Sequence, residues 1–315
     1  MEKSRFSNMC FIVGWRPMRF TSVLRIRVQA QLALACFCFC GSVLAVEKVY
    51  YPEYQLKLVH SINFKYPLEL LKLAIAKSGN QVDLQPASTD LTKKRSQNEL
   101  KTGNTFDIYW GTTSIELEHD SIPVRICLMK GLMGWRIPLV AKKNQNLFRN
   151  AKTLGDLRQF TAGQGTHWQD TKILRSSDLK VETSSTVDLL SKMLVANRFD
   201  YFPRGVQEIW EERELRPELD IVVDPHIAIH YMNPFYFFVN RNKPELAKLI
   251  QQGLETAIKD GSFDTLFFQY YSEPLRKANI GTRTIIELEN PFLPPNTPVD
   301  RKTLWLPSKE GKAKT

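Results

Sequence analysis

Leu68, Leu71, Ala74 and Ile75 recur at helical spacing, with Pro67 before them suited to a first helical turn and Gly79 after them suited to a stop. The residues around this block read as strand 56–59, a polar-aromatic loop at 61–66, strand 82–84, a polar helix at 91–100 ending near Gly103, and strand 106–110. A β-rich stretch, 124–142, follows, punctuated by Gly131, Gly134 and Pro138. The alternation then restarts. Thr153 and Asp156 make a capping-box start to a short helix, 161–165 is a strand and 168–174 a helix. Strand 180–182 leads to an amphipathic helix at 186–196, strand 199–202 to a helix at 206–213. Extended segments at 221–223 and 235–239 precede two last helices, 244–259 and 262–279, and a proline-rich tail over 290–298.

Strands alternating with helices in two blocks predict an α/β protein, each block a sheet with helices on its faces. The 315 residues suffice for two domains, and no internal repeat or low-complexity tract interrupts them. The net charge of +10 changes this picture little once divided. Residues 1–45 hold six basic side chains against Glu2 alone, and the rest of the excess is dispersed, so nucleic-acid binding is not expected.

Residues 31–46, QLALACFCFCGSVLAV, form an apolar run preceded by Arg25 and Arg27 and ending in Val43-Leu44-Ala45. Basic, apolar and small-residue segments in that order predict a secretory signal peptide over 1–45, cleaved after Ala45, and a periplasmic destination. The run is short for a membrane-spanning helix, which needs about 20 residues. Four of the five cysteines (Cys10, Cys36, Cys38, Cys40) lie in this leader, and Cys127 alone remains, in an apolar stretch. No internal disulfide and no thiolate metal site is expected. Phosphate-cradling glycine loops and a nucleophile elbow are absent from the sequence. No cofactor, metal or catalytic residue is assigned.

A binding cleft has better support, because the strand ends of an α/β lobe deliver loops and helix N-termini to one edge. Loop 163–171, GQGTHWQDT, has this form: Gly165 permits close approach, Trp168 offers a flat face, Thr166 and Thr171 offer hydroxyls. A plain strand–turn–helix capped by Thr166 is the simpler alternative. Tyr66, Trp110, Trp135, Trp168 and Phe202 sit at or near strand ends and are expected to line the cleft, with core packing the competing role. Arg204, after Pro203 and before Gly205, is expected to emerge at the edge and grip an anionic ligand bidentately; its competing role is an ion pair with Glu208.

Several segments carry a family likeness: YPLELL at 66–71, KGLMGWR at 130–136, FDYFPRG at 199–205, FYFFVN at 235–240 and DGSFD at 260–264. Over about residues 47–307 the chain resembles the type 2 periplasmic (extracytoplasmic) solute-binding proteins, in particular the amino-acid-type family 3 transporter substrate-binding domains. The resemblance implies two lobes, residues 47–138 plus 236–315 and residues 139–235, crossed by hinge strands at 135–142 and 235–240. It implies capture of a small molecule by hinge closure, an inner-membrane permease or sensor receptor as partner, a monomer, and no enzymatic activity. A lyase or dehydratase on the same scaffold, using a cleft carboxylate such as Glu69, Asp107 or Asp170, is the alternative. Thr112 and Thr113 stand where the family's ligand-binding threonines stand. The family's carboxylate-gripping Arg does not follow them, and Arg204 occupies the neighbourhood of its ammonium-holding Asp. The resemblance therefore implies the fold and leaves an α-amino acid ligand unsupported.

Overall fold

The first sheet is built on short crossovers. Strand β1 (Glu47–Glu53) leads to helix α1 (Ile62–Ser78), and the chain returns in β2 (Val82–Ser88), which pairs parallel to β1. Helix α2 (Lys93–Thr102) is followed by β3 (Ile108–Thr112), helix α3 (Ile115–Asp120) by β4 (Ile122–Val124). Asp107 joins the two halves of this layer: its backbone N–H donates to Tyr50 O at 2.8 Å, and its carboxylate accepts from Tyr50 N–H at 2.8 Å. The second sheet is assembled around β5 (Trp135–Ala141), buried along its whole length. Helix α4 (Leu154–Leu157) carries the expected capping box of Thr153 and Asp156. Then come β6 (Thr161–Gly165), α5 (Gln169–Ser176), β7 (Lys180–Ser184), α6 (Val187–Val195), β8 (Phe202–Gly205), α7 (Ile209–Glu214), β9 (Ile221–Val223) and β10 (Ile227–His230). Strand β11 (Phe235–Val239) returns to the first sheet between β3 and β4, helices α8 (Pro244–Lys259) and α9 (Ser262–Ala278) follow, and β12 (Thr284–Glu287) pairs parallel to β10.

The computed structural model describes residues 46–53, 62–88 and 93–307. The leader and the strand expected at 56–59 lie outside these. Three expectations need correction. Helix α1 begins at Ile62, with Pro67 inside it rather than at its head; an interior proline forfeits one backbone hydrogen bond, which the remaining turns outweigh here. The strand expected at 199–202 runs instead from Phe202 to Gly205, because register with β5 starts at Leu139 opposite Phe202. The last strand, β12, lies in the second sheet, so residues 284–287 do not accompany their neighbours into the first lobe.

One hydrophobic cluster fills the first lobe and continues onto one face of the second sheet through Ile137, Leu139, Phe202 and Ile209. The opposite face of that sheet carries a separate cluster, including Val140, Tyr201, Ile229 and Tyr231. Strand alternation explains the division, since odd and even positions of β5 look to opposite sides. Three chain segments cross between the sheets side by side: Leu128 N–H donates to Phe235 O at 2.9 Å, Tyr231 N–H to Gly134 O at 3.2 Å, and Leu288 N–H to His230 O at 2.8 Å. The Asn290 amide adds a bond to Met232 O at 2.8 Å.

Cys127 lies under this crossing, fully buried, with its sulfur accepting from Gly131 N–H at 3.2 Å. Burial pushes its thiol up to about 11. At pH 8 only about one molecule in a thousand would carry the reactive thiolate. Iodoacetamide labelling read by peptide mass spectrometry should leave Cys127 unmodified in native buffer and modify it fully in urea. Native labelling at the rate of a free thiol would contradict the packing.

Candidate functional site

The second sheet presents one polar edge. Strand β5 runs antiparallel to β8 and β10, so its start at Trp135 and Arg136 lies beside their ends at Gly205 and His230. Strand β6 reaches the same edge, where Gly165 leads through Trp168 into α5.

Arg136 faces Gly205 across the pairing and is 4% exposed. Its Nη2 lies 2.6 Å from the carboxylate of Asp170, in the first turn of α5, and its Nε donates to Tyr231 Oη at 3.0 Å. The Tyr231 hydroxyl in turn donates to Asp170, which closes a three-membered ring of hydrogen bonds. Burial opposes the guanidinium charge, but Asp170, Tyr231 and Glu208 outweigh it and hold its pKa above the usual value. Nη1 makes no hydrogen bond to a described residue. A methyl group on Gly205 would sit 3.0 Å from this Nη1 and 2.7 and 2.9 Å from the two amide atoms of Gln207. The Gln207 side chain turns its nitrogen to Met133 S (3.2 Å) and Glu208 (3.3 Å), and its buried Oε1 receives no donor from the described residues. Nearby, the buried Oδ1 of Asn233 is also without a donor, while its nitrogen is bonded to Met133 O at 3.2 Å.

The other face of the same edge holds most of the residues singled out from sequence. Trp168 and Phe202 stack at 6.2 Å and 16°, and the Arg204 guanidinium lies 4.7 Å and 4.8 Å from their ring centres. Arg204 is bonded to Glu208 at 2.7 Å and through Nε to Glu212 at 2.6 Å. Arg204 lies within β8, two residues from Phe202, and makes the ion pair with Glu208 that was its competing role, with Glu212 as a second partner. Gly165 is needed here because any side chain would collide with the Trp168 ring. Thr171 donates its hydroxyl to Gly165 O at 2.7 Å, and Thr166 donates its backbone N–H to Ser184 O at 3.0 Å. The simpler reading of loop 163–171, a strand–turn–helix held by its own bonds, describes it.

The remaining expectations divide. Tyr66 is fully buried against Tyr271 and Phe267, and its hydroxyl donates to Leu128 O at 2.6 Å, the core packing that was its competing role. Trp110 is buried in β3, stacked on Tyr51 and edge-on to Phe237. Thr112 pairs with Phe235 at the end of β3. Thr113 donates its N–H to Pro234 O at 3.1 Å and its hydroxyl to Glu118 at 2.8 Å. Trp135 lies against His230 with ring centres 4.2 Å apart, and its buried Nε1 has no acceptor among the described residues. Glu116 of α3 is held below the usual carboxylate range, first by its own backbone N–H and then by the Ser114 hydroxyl. Among the described residues no group of three or more His, Cys, Asp or Glu is placed to hold a metal ion, and no helix is long and apolar enough to cross a membrane.

Sequence reasoning missed Arg136, Tyr231 and Gln207 as site residues. Arg136 lay within a segment already noted, but its value depends on the antiparallel register opposite Gly205, which no local pattern announces.

No protein-family model matches the chain, and no curated protein matches it. Among solved structures, the VFT2 domain of BvgS from Bordetella pertussis is similar at 13% identity and a TM-score of 0.53, over 78% of this chain and 97% of that one. An ancestral arginine-binding protein bound to glutamine is similar at 16% identity and a TM-score of 0.50, over 71% of this chain and 97% of that one. The chain has the two-lobed α/β fold of the type 2 periplasmic-binding proteins.

Proposed function

We propose that this chain is an extracytoplasmic solute-binding protein that captures a small molecule between its two lobes and presents the closed form to a membrane permease or sensor receptor. The observation that carries this reading is the polar edge of the second sheet. Gln207 Oε1 and Asn233 Oδ1 are buried acceptors with no donor among the described residues, next to the three crossing segments. Leaving such groups unpaired costs about 1–3 kcal/mol each, which a ligand's donors would recover. The similar ancestral arginine-binding protein carries glutamine, a small polar solute. The lobes of this reading are residues 47–138 with most of 236–315, and residues 139–235 joined by β12. Periplasmic export would follow from the leader over 1–45.

Ligand binding that favours the closed arrangement must stabilise the fold by mass action. At a hundredfold excess over Kd the gain is about 2.7 kcal/mol, a rise of several degrees in the unfolding midpoint. A thermal-shift screen of amino acids, carboxylates, sugars and polyamines should yield at least one such rise. Small-angle scattering on that hit should give a smaller radius of gyration. A screen without a hit, or a hit without compaction, would refute capture by closure.

A further inference from the structure

We infer that residues 293–300 are a strut of fixed length between the two lobes, and that this strut sets the angle at which they rest without a ligand. The inference goes beyond solute capture and needs only the two-lobed fold. The ends of the segment are seated in different hydrophobic clusters. On the near side, Leu288 and Phe292 pack into the separate cluster of the second sheet. Leu288 N–H donates to His230 O at 2.8 Å, and the Asn290 amide to Met232 O at 2.8 Å. On the far side, Leu304 is fully buried in the cluster that fills the first lobe, with Trp305 and Leu306 packed against it. This far seat is built on the first crossing segment and on α8. Arg301 gives both terminal nitrogens to the Glu255 carboxylate of α8, at 2.6 Å each. Lys130 Nζ donates to Thr303 O at 2.8 Å, and Lys130 O accepts from Leu306 N–H at 2.7 Å. The Trp305 ring lies over Gly131, where a side chain would begin 2.7 Å from it. Lys130 itself is left-handed, at φ 48°. A lysine stays there only where its surroundings over-determine it, and the tail supplies two of the bonds that do so.

Between the seats the chain has little slack. Pro294, Pro295 and Pro298 make up three of its eight residues. Each ring fixes its own φ and restricts the residue before it to extended backbone. The segment is also bonded to itself. Thr297 donates to Pro294 O through its N–H at 3.1 Å and its hydroxyl at 2.8 Å. Pro298 O accepts from Arg301 N–H at 3.3 Å and from Trp305 Nε1 at 3.0 Å. A flexible tether of this length lets its ends sample many separations, whereas a proline-rich chain closed by its own turns holds nearly one. The two seats belong to different lobes, so a change in the angle between the lobes must bend the strut or unseat an end. Loosening it would spread the ligand-free chain over a range of angles, and a ligand would then have more to order on binding.

Double electron–electron resonance on the full chain, with no solute present, reads the separation of the lobes. The spin labels are carried by p-acetylphenylalanine in place of Asn80 and Lys180, both exposed and on different lobes, so that no cysteine is touched. The parent chain should give one narrow distance distribution. Inserting Gly-Ser-Gly-Ser between the exposed Pro295 and Asn296 adds slack and should make the distribution about twice as wide. Pro295→Gly combined with Pro298→Gly keeps the length and removes no hydrogen bond, but frees two φ angles, and should widen it by a smaller factor. Urea titration establishes that each variant is folded before its width is read, and the two variants perturb the segment independently. A broad distribution in the parent chain overturns the inference, and so does a folded variant of either kind that is as narrow as the parent. Because the measurement uses no solute, a failed strut leaves solute capture standing, and a failed solute screen leaves the strut standing.

Discussion

Asp170→Ala should cost about 3–5 kcal/mol of folding stability, read as a lower urea midpoint with an unchanged m-value. The loss is large because Arg136 stays behind. Its guanidinium is 4% exposed and would keep its charge in a site that has lost the opposing carboxylate. The Tyr231 hydroxyl, also buried, would lose its acceptor in the same step. Replacing both ends of the pair, as in Arg136→Met with Asp170→Leu, should recover much of the loss, since apolar groups of similar volume leave no charge unpaired. An exposed pair serves as contrast: Glu273→Ala removes the partner of Arg276 on the surface of α9 and should leave the midpoint where it was. If Asp170→Ala proves as mild as Glu273→Ala, the Arg136 charge is reached by water and the ring of three hydrogen bonds is not what holds it.

Gly253→Ala should destabilise the first lobe by about 3 kcal/mol, at the upper end of what overpacking a core costs. Helices α1 and α8 meet backbone to backbone at this residue. A methyl group there would overlap the Ala74 carbonyl oxygen and lie 2.6 Å from its carbon. Main-chain atoms inside a helix cannot step aside as a flexible side chain can, so the two helices would have to separate along their contact. Gly155→Ala in α4 makes the matched control, because a methyl group there would meet only the Thr153 hydroxyl at 3.5 Å. That change should leave the midpoint equal or slightly higher, by the ordinary advantage of alanine over glycine in a helix. A midpoint for Gly253→Ala that matches the control would mean the helices are free to separate.

Much of the second block was legible in the sequence. The capping box at Thr153, the strand over Thr161–Gly165, the strand over Phe235–Val239 and the helix over Pro244–Lys259 coincide with what their residues announce. These elements are specified locally, by caps, turns and hydrophobic period. The short strand β12 and the short helix α3 were not assigned, because four to six residues carry too little period to separate strand or helix from loop. The site was legible only in part. Trp168, Phe202 and Arg204 do gather at one edge, as strand-end reasoning expects, and Arg204 takes the ion-pair alternative, with Glu212 joining Glu208. What separates an arginine spent on its neighbours from one with a nitrogen to spare is a three-residue shift in where β8 begins and the strand it pairs with. Both are long-range facts, fixed by packing rather than by the segment's own residues.

The side-by-side run of the three crossing segments also bears on how the molecule can deform. Two separate cords allow their loads to swing, twist and shear; three cords laced into a strip by Leu128–Phe235, Tyr231–Gly134 and Leu288–His230 do not. A strip flexes readily out of its own plane and resists in-plane bending and shear, since those would stretch one border against the other and break the lacing. Movement of one sheet against the other within the plane of the strip would have to break these bonds. Any torque delivered at one end of the strip reaches the other along a single path, with little lost to sideways wobble.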